Sequence, residues 1–388
     1  MMTRKPKSRL PLIAGVVVVI ILVGVLGAGY YSLGWFKSSS ASCGVTTKGT
    51  LLGEGSTLVA PLMDQWASTY WGGGVVTYDS VGSSSGISSI TNKVSDYGAS
   101  DAPLTASQRA AAPGLVTIPE SAGGVVPIYN LPGIPNLNFN GSVLAQIFDG
   151  NVTNWNNTFL QTLNPKVVLP HATIDPIYRT GGSGTTFIFT SFLTLENAHW
   201  GTWYGKGLNW PTNISVGAGA SGNGGVATTV STTTDSIGYV DLNYALTAGS
   251  GVGIGAVKNP AGNFIHATVA NTASALADLN PTLPAGSGDW YNVSLLNAPG
   301  AQDYPITSLT YVLVYQNLNT YSGTPNAYTL QKAENLIDFL TWIVTVGQNY
   351  SALLAYDPLP HSIITADLTT INSVTYGGSS IPVCVPSS

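Results

Sequence analysis

Charge is what this sequence has least of. Asp, Glu, Lys and Arg make up 8% of its 388 residues, against about 25% in ordinary globular proteins. The net charge is -5 and no basic cluster occurs beyond residue 9, which excludes nucleic acid as a partner. Disorder is excluded too, because 19 Tyr, 9 Trp and 9 Phe spread along the chain argue for a packed fold. The surface must then be covered by Ser, Thr, Asn and Gly, which suits an acidic exterior or a coat of glycan. No second long apolar run follows the first, so the chain is neither a channel nor a permease. His171, His199, His266 and His361 are scattered, without the spacing of a metal cluster, so no metal is expected. There is no short-period repeat.

What charge there is gathers at the start. "RKPKSR" carries four cations, and then "LPLIAGVVVVIILVGVLGAGYYSLGWF" runs uncharged to Lys37. About 20 apolar residues cross a bilayer as a helix, with the positive flank in the cytoplasm and the remainder outside. Signal-peptide cores run only ~7–15 residues, so an uncleaved single-pass anchor is favoured, although small residues near Gly27–Gly29 leave cleavage as the alternative. Residues 1–37 are read as anchor or signal segment and 38–49 as a polar tether. Cys43 and Cys384, the only cysteines, bracket the exterior part, and a disulfide is expected there. The alternatives are two thiols or lipidation at Cys43, but "SASC" stands far beyond the apolar run. Sequons at Asn140, Asn151, Asn156, Asn213, Asn292 and Asn349 are plausible glycan sites.

After the tether, strand and helix alternate: "TLLGEGS", "TLVAPLMDQWASTYW", "GVVTYDSV", "SGISSITNKV", "DYGASD". This βαβαβ rhythm predicts a parallel sheet covered by helices, with Leu58, Leu62, Trp66 and Tyr70 as a core-facing stripe. A second block from "GGVVPIYN" repeats the rhythm, with helices near "SVLAQIFDG" and "TTFIFTSFLTL". Towards the end "PITSLTYVLVYQ" reads as a buried strand and "TLQKAENLIDFLTWIVTVGQNYSALL" as one amphipathic helix. Two α/β lobes fit the length.

Three loops share one design of strand, small residues, then helix: "GEGSTLVAP" (53–61), "VGSSSGI" (81–87) and "RTGGSGTTF" (179–187). A helix start has unpaired N–H groups and positive potential, and is a ready anion site. The plainer reading of each loop is N-capping. Three together, one headed by the only cation between Lys166 and Lys206, favour a bound oxyanion, for which arginine's bidentate fork is suited. "GSSSG" also matches the G-x-S-x-G elbow, with Ser84 as nucleophile and His266 or His361 as base, though Ser/Gly-rich chains meet that pattern easily. "GGSGTT" lacks the lysine of a P-loop.

With these loops the chain resembles the phosphate-binding receptors of Pst-type ABC transporters. That family shows "GAG[AS]TFPAP", "xGSxxG", "DFGASDxPL", "RxDGSGTSF" and "WPIT". Here stand "GEGSTLVAP", "VGSSSGI", "DYGASDAPLT", "RTGGSGTTF" and "YPIT", in order, and "SIGYVDLNYA" is also similar. The resemblance implies a two-lobed periplasmic-binding-protein-like fold of type II, with a hinge and a central cleft. The first lobe would comprise 50–124 and 305–388, and the second 125–304. It implies inorganic phosphate as ligand, ABC permease subunits as partners, no cofactor and no catalysis. Phosphate would be bound by Thr57, Leu58, Ser83, Asp101, Arg179, Ser183, Gly184 and Thr185. Asp101 would accept the proton that phosphate carries and ionised sulfate lacks; its plainer reading is the N-cap of "APLTASQR". One position departs: the acidic residue of "RxDGSGT" is Gly181 here. The alternatives are a phosphomonoesterase-type hydrolase on the same scaffold and a surface adhesion protein retaining the fold.

Overall fold

The structure, a computed structural model, describes residues 48–279 and 283–383. The N-terminal apolar run, most of the tether, Cys43 and Cys384 lie outside these residues, so the expected anchor and disulfide do too. Among the described residues no helix is long and apolar enough to cross a membrane.

The first block folds as its rhythm predicts. Strands β1 (Lys48–Gly55), β2 (Gly74–Asp79) and β3 (Tyr97–Ser100) are parallel neighbours. Helix α1 (Ala60–Thr69) links β1 to β2, and α2 (Ser83–Thr91) links β2 to β3. The stripe Leu58, Leu62 and Trp66 is buried, with Tyr70 half-buried beside it. Pro61 sits in the first turn of α1, where its missing N–H costs nothing. Helix α3 (Ala106–Ala111) starts on a capping box. Thr105 Oγ1 accepts from Gln108 N, and the Gln108 side chain accepts from Thr105 N. Thr105 is therefore the cap, and Asp101 is released for other work.

Strand β4 (Leu115–Tyr129) is 15 residues long and buried at every position, the mark of a central strand. After it come β5 (Asp175–Thr180), α4 (Gly184–Glu196), β6 (Ala218–Ser221), α5 (Gly222–Thr232), β7 (Ser236–Asp241) and β8 (Thr307–Tyr315). The sheet order is β2-β1-β3-β8-β4-β7-β5-β6. β4 joins its two halves: Leu115–Gly124 pair antiparallel with β8, and Val125–Tyr129 with β7. In the second half Phe189 stacks on Tyr239 with ring centroids 4.3 Å apart. This fixes the tyrosine whose hydroxyl meets Arg179 N at 3.2 Å and Thr186 Oγ1 at 2.8 Å.

The single long helix expected near the end is broken. Helix α6 (Leu330–Val344) stops short, and Val346–Tyr350 and Ala352–Leu354 are 3-10 turns. Tertiary contacts claim the groups a longer helix would use. Trp66 Nε1 donates to Gly347 O at 2.8 Å, while the Gln348 amide donates to Ile343 O and Glu120 O and accepts from Leu359 N.

Candidate anion site

The three predicted loops converge on one place, and a fourth joins them. A cleft of about 370 Å³ is lined by Thr57, Gly82, Ser85, Arg179, Gly181, Gly182, Asn223 and Tyr244, among others. Ser84 N donates to Gly182 O at 3.2 Å and Gly184 N to Ser83 Oγ at 3.1 Å, which ties the start of α2 to the start of α4. Asn223, in the first turn of α5, donates from its backbone N (3.3 Å) and its Nδ2 (3.0 Å) to Thr57 Oγ1. Its Nδ2 also reaches Thr185 Oγ1 at 3.1 Å, and its Oδ1 accepts from Asp241 N.

Proton counting shows what these hydroxyls are for. Ser83 Oγ accepts from Asp101 N and Gly184 N; Ser183 Oγ accepts from Thr186 N. Thr57 Oγ1 accepts from Asn223, and Thr185 Oγ1 from Asn223 and Arg179 Nη1. Accepting from N–H donors, Thr57, Ser183 and Thr185 keep their own O–H to give, while the hydroxyl of Ser83 lies beside the Asp101 carboxylate. Donors gathered at helix starts make a candidate anion site built from neutral groups. Leu58 is buried through its side chain, and in this conformation its N–H donates to Ser56 Oγ at 2.9 Å.

Two charged groups stand in this neutral setting. Arg179 is 3% exposed, and its Nε is buried without a hydrogen-bond partner. Burial lowers its pKa, while Tyr239 and Asp101 act to raise it. Gly181, where the family pattern has an acid, adopts φ +72°, and nothing lies within 4 Å of a Cβ built there. Asp101 is 1% exposed, and its Oδ1 accepts from Thr310 Oγ1 at 3.0 Å, whereas Oδ2 is buried without a partner. Burial pushes its carboxyl up to about 6, against the pull of Ser56, Thr310, Arg179 and Ser83. Ser56 and Ser83 exert that pull without making a well-formed bond to Oδ2. Close approach requires glycine at 184, because a Cβ there would lie 2.5 Å from Asp101 Oδ2.

Of the predicted residues, Thr57 and Arg179 line the cleft, while Ser83, Asp101, Ser183, Gly184 and Thr185 are buried beside it, with Ser83 bonded to Asp101 N and Gly184 N, and Thr185 to Arg179 and Asn223. Ser84, the nucleophile of the hydrolase alternative, puts its hydroxyl against Gly182, and His266 and His361 are exposed. Asn223 was not anticipated. Its signal was present in "AGASGNGG", a fourth turn of small residues between strand and helix.

The comparisons with known proteins accord with this geometry. A PBP superfamily domain matches residues 40–346. The phosphate-binding protein PstS of Xylella fastidiosa is 34% identical over 323 residues, spanning 80% of this chain and 82% of that protein. This chain belongs to the PBP superfamily, in the family of PstS phosphate-binding proteins. The PstS protein of Methanocaldococcus jannaschii is 31% identical over 313 residues, spanning 77% of this chain and 79% of the relative. Among solved structures, the phosphate-binding protein from Stenotrophomonas maltophilia superposes with a TM-score of 0.63 at 19% identity, covering 82% of this chain and 93% of that one. That likeness establishes the two-lobed PBP-like fold.

Proposed function

We propose that this PstS-family chain is an extracytoplasmic receptor that binds inorganic phosphate in its central cleft and passes it to an ABC importer permease. It performs no chemistry on the ligand. The observation that carries the reading is the pairing of outward-donating hydroxyls with one buried acceptor. Thr57, Ser183 and Thr185 have O–H groups to give an anion, and Arg179 supplies directed charge. Asp101 Oδ2, buried without a partner, asks for a proton. A protonated oxyanion satisfies every one of these groups. Fully ionised sulfate leaves a buried carboxylate unmatched, and such mismatches discriminate strongly, often by ~10⁴ or more.

The same reading assigns residues 50–124 and 305–388 to one lobe and 125–304 to the other, with β4 and β8 near the hinge. The change of partner along β4 at Gly124 supports that division. Lobe closure by hinge motion would bring the helix starts together around the ligand. The apolar N-terminal run would hold the receptor at the outer face of the membrane. A Cys43–Cys384 disulfide would staple the two ends of the exterior part. Asn151, Asn156, Asn213, Asn292 and Asn349 are exposed and suited to carry glycan. Asn140 is a poorer acceptor, since its Oδ1 caps the helix Gly141–Phe148 by accepting from Val143 N at 2.8 Å. Calorimetric titration of the purified chain with phosphate and sulfate tests the reading. Saturable phosphate binding with sulfate far weaker is expected; sulfate binding equally well would contradict it.

A further inference from the structure

Thr310 Oγ1 lies 3.0 Å from Asp101 Oδ1 and 3.0 Å from Glu120 Oε1. One hydroxyl has one proton, so it can donate to only one of these oxygens. The other oxygen must then donate to Thr310, which requires a proton on that carboxyl. The arrangement is built into the sheet. The β4–β8 register runs Thr310 opposite Ser121 and Tyr311 opposite Pro119, so Glu120 is the extra residue of a β-bulge. Bulges re-aim a side chain, and they gather beside functional sites. Here the bulge brings a fully buried glutamate onto the hydroxyl that already serves Asp101.

The surroundings decide which carboxyl holds the proton. Asp101 feels the charge of Arg179 and the hydroxyls of Ser56 and Ser83, all of which favour its ionised form. Glu120 has Thr310 as its partner, its Oε2 is buried without one, and its acidic neighbour is Asp101. The other ionisable groups around the pair are Tyr78 from β2, Tyr97 from β3, Tyr311 from β8, Asp241 from β7, and Tyr356. None of these supplies positive charge, so nothing near Glu120 supports a second carboxylate.

We propose that Glu120 carries a proton, donates it to Thr310, and through Thr310 holds Asp101 as an ionised acceptor for the proton of phosphate. Glu120 is then a positioning residue for ligand selection, and this inference rests on the phosphate-receptor reading. Thr310 fills Oδ1, so that Oδ2 is left to test the ligand for a proton. If Glu120 ionises, Thr310 must divide its single proton between two anions. Asp101 then loses the undivided donor to Oδ1 and faces a second buried negative charge, so it is no longer held in place for the ligand. Burial and the Asp101 charge raise the Glu120 pKa, so the device works below that titration and fails as pH rises through it.

The test measures phosphate and sulfate affinity of the full chain against pH in wild type, Glu120→Gln, Thr310→Val and Thr310→Ser. A glutamine amide can donate to Thr310 as the protonated acid does. Glu120→Gln should therefore bind phosphate within about threefold of wild type at neutral pH and keep that affinity at alkaline pH, where wild type loses it. Thr310→Val should weaken phosphate binding at least tenfold, and Thr310→Ser should restore it. A tenfold loss in Glu120→Gln at neutral pH, or matching pH profiles, would overturn the proposal. Isotope-labelled glutamate gives a readout that needs neither ligand nor a folded variant at Thr310. The chain has four glutamates, Glu54, Glu120, Glu196 and Glu334, of which Glu120 is fully buried. Its carboxyl signal, assigned by its loss in Glu120→Gln, should be that of the protonated acid at neutral pH; an ionised signal refutes the idea. A wild type that binds no phosphate would sink the receptor reading, and the labelled spectrum would still decide where the proton lies.

Discussion

The two walls of the cleft are built alike and do different work. Both present helix starts, one with α2 behind Ser83 and the other with α4 and α5 behind Ser183 and Asn223. The wall from β5 and β6 carries Arg179, while the wall from β3, β4 and β8 carries Asp101, Thr310 and Glu120. Shared hydroxyls make either wall receptive to any oxyanion. On the proposed reading, Arg179 sets how tightly an anion is held, and Asp101 sets which anion it is. That reading places affinity and selectivity on opposite sides of the ligand, and they should be separable by mutation.

The largest effect is expected on the arginine wall. Arg179→Ala removes a buried charged donor, a loss typically of ~2–5 kcal/mol, so phosphate binding should weaken at least about 30-fold in calorimetry. Arg179→Lys should also weaken it, since an ammonium lacks the planar fork. Sulfate affinity should fall by a similar factor in both variants; a change in the phosphate-to-sulfate ratio would break the division of labour. Next comes the place where the walls touch. Gly184→Ala would set a methyl 2.5 Å from Asp101 Oδ2 and 2.7 Å from Ser83 Oγ. The walls must then separate, and about a tenfold loss of affinity is expected in the same titration. Unchanged binding would mean that they can part without consequence.

Asn223→Ala should act more mildly. It removes the amide that links Thr57 to Thr185, and one such group is worth about 1–3 kcal/mol when its partners stay buried. Phosphate affinity should drop about tenfold with selectivity kept. The smallest effect is on stability and belongs to the acids. Burial raises the pKa of Asp101 to about 6 and of Asp357 to about 8, and also raises Glu120, Asp241 and Asp367. The native state holds these protons more firmly than the unfolded chain. Their contribution is therefore complete below about pH 4 and is lost as pH rises through about 6 and 8. The melting temperature without added phosphate should fall from pH 4 to 8; a rise over that range would contradict the assignment.

The parts of the molecule set by local pattern were legible in the sequence. The βαβαβ rhythm, the stripe Leu58–Leu62–Trp66 and the loop-to-helix turns depend on neighbours a few residues apart, and all appear where expected. What could not be read was set at long range. The break after Val344 comes from Trp66 and Glu120, far away in the chain. Asp101 could equally have been a helix cap until Thr105 proved to hold that post. Glu120 gave no signal at all, because a bulge in a continuous buried strand leaves no mark in composition. Asn223 was visible as a fourth loop of small residues but lacked the arginine that marked the third.

The central claim is that Asp101 selects the anion by requiring its proton, and Asp101→Asn tests it most directly. An amide can donate as well as accept, so it no longer needs a proton from the ligand. Wild type and Asp101→Asn should be titrated in parallel with phosphate and sulfate near neutral pH, where sulfate carries no proton. The phosphate-to-sulfate affinity ratio should collapse in Asp101→Asn, whatever happens to phosphate affinity itself. A ratio unchanged from wild type would contradict the account and leave Asp101 as a structural carboxylate.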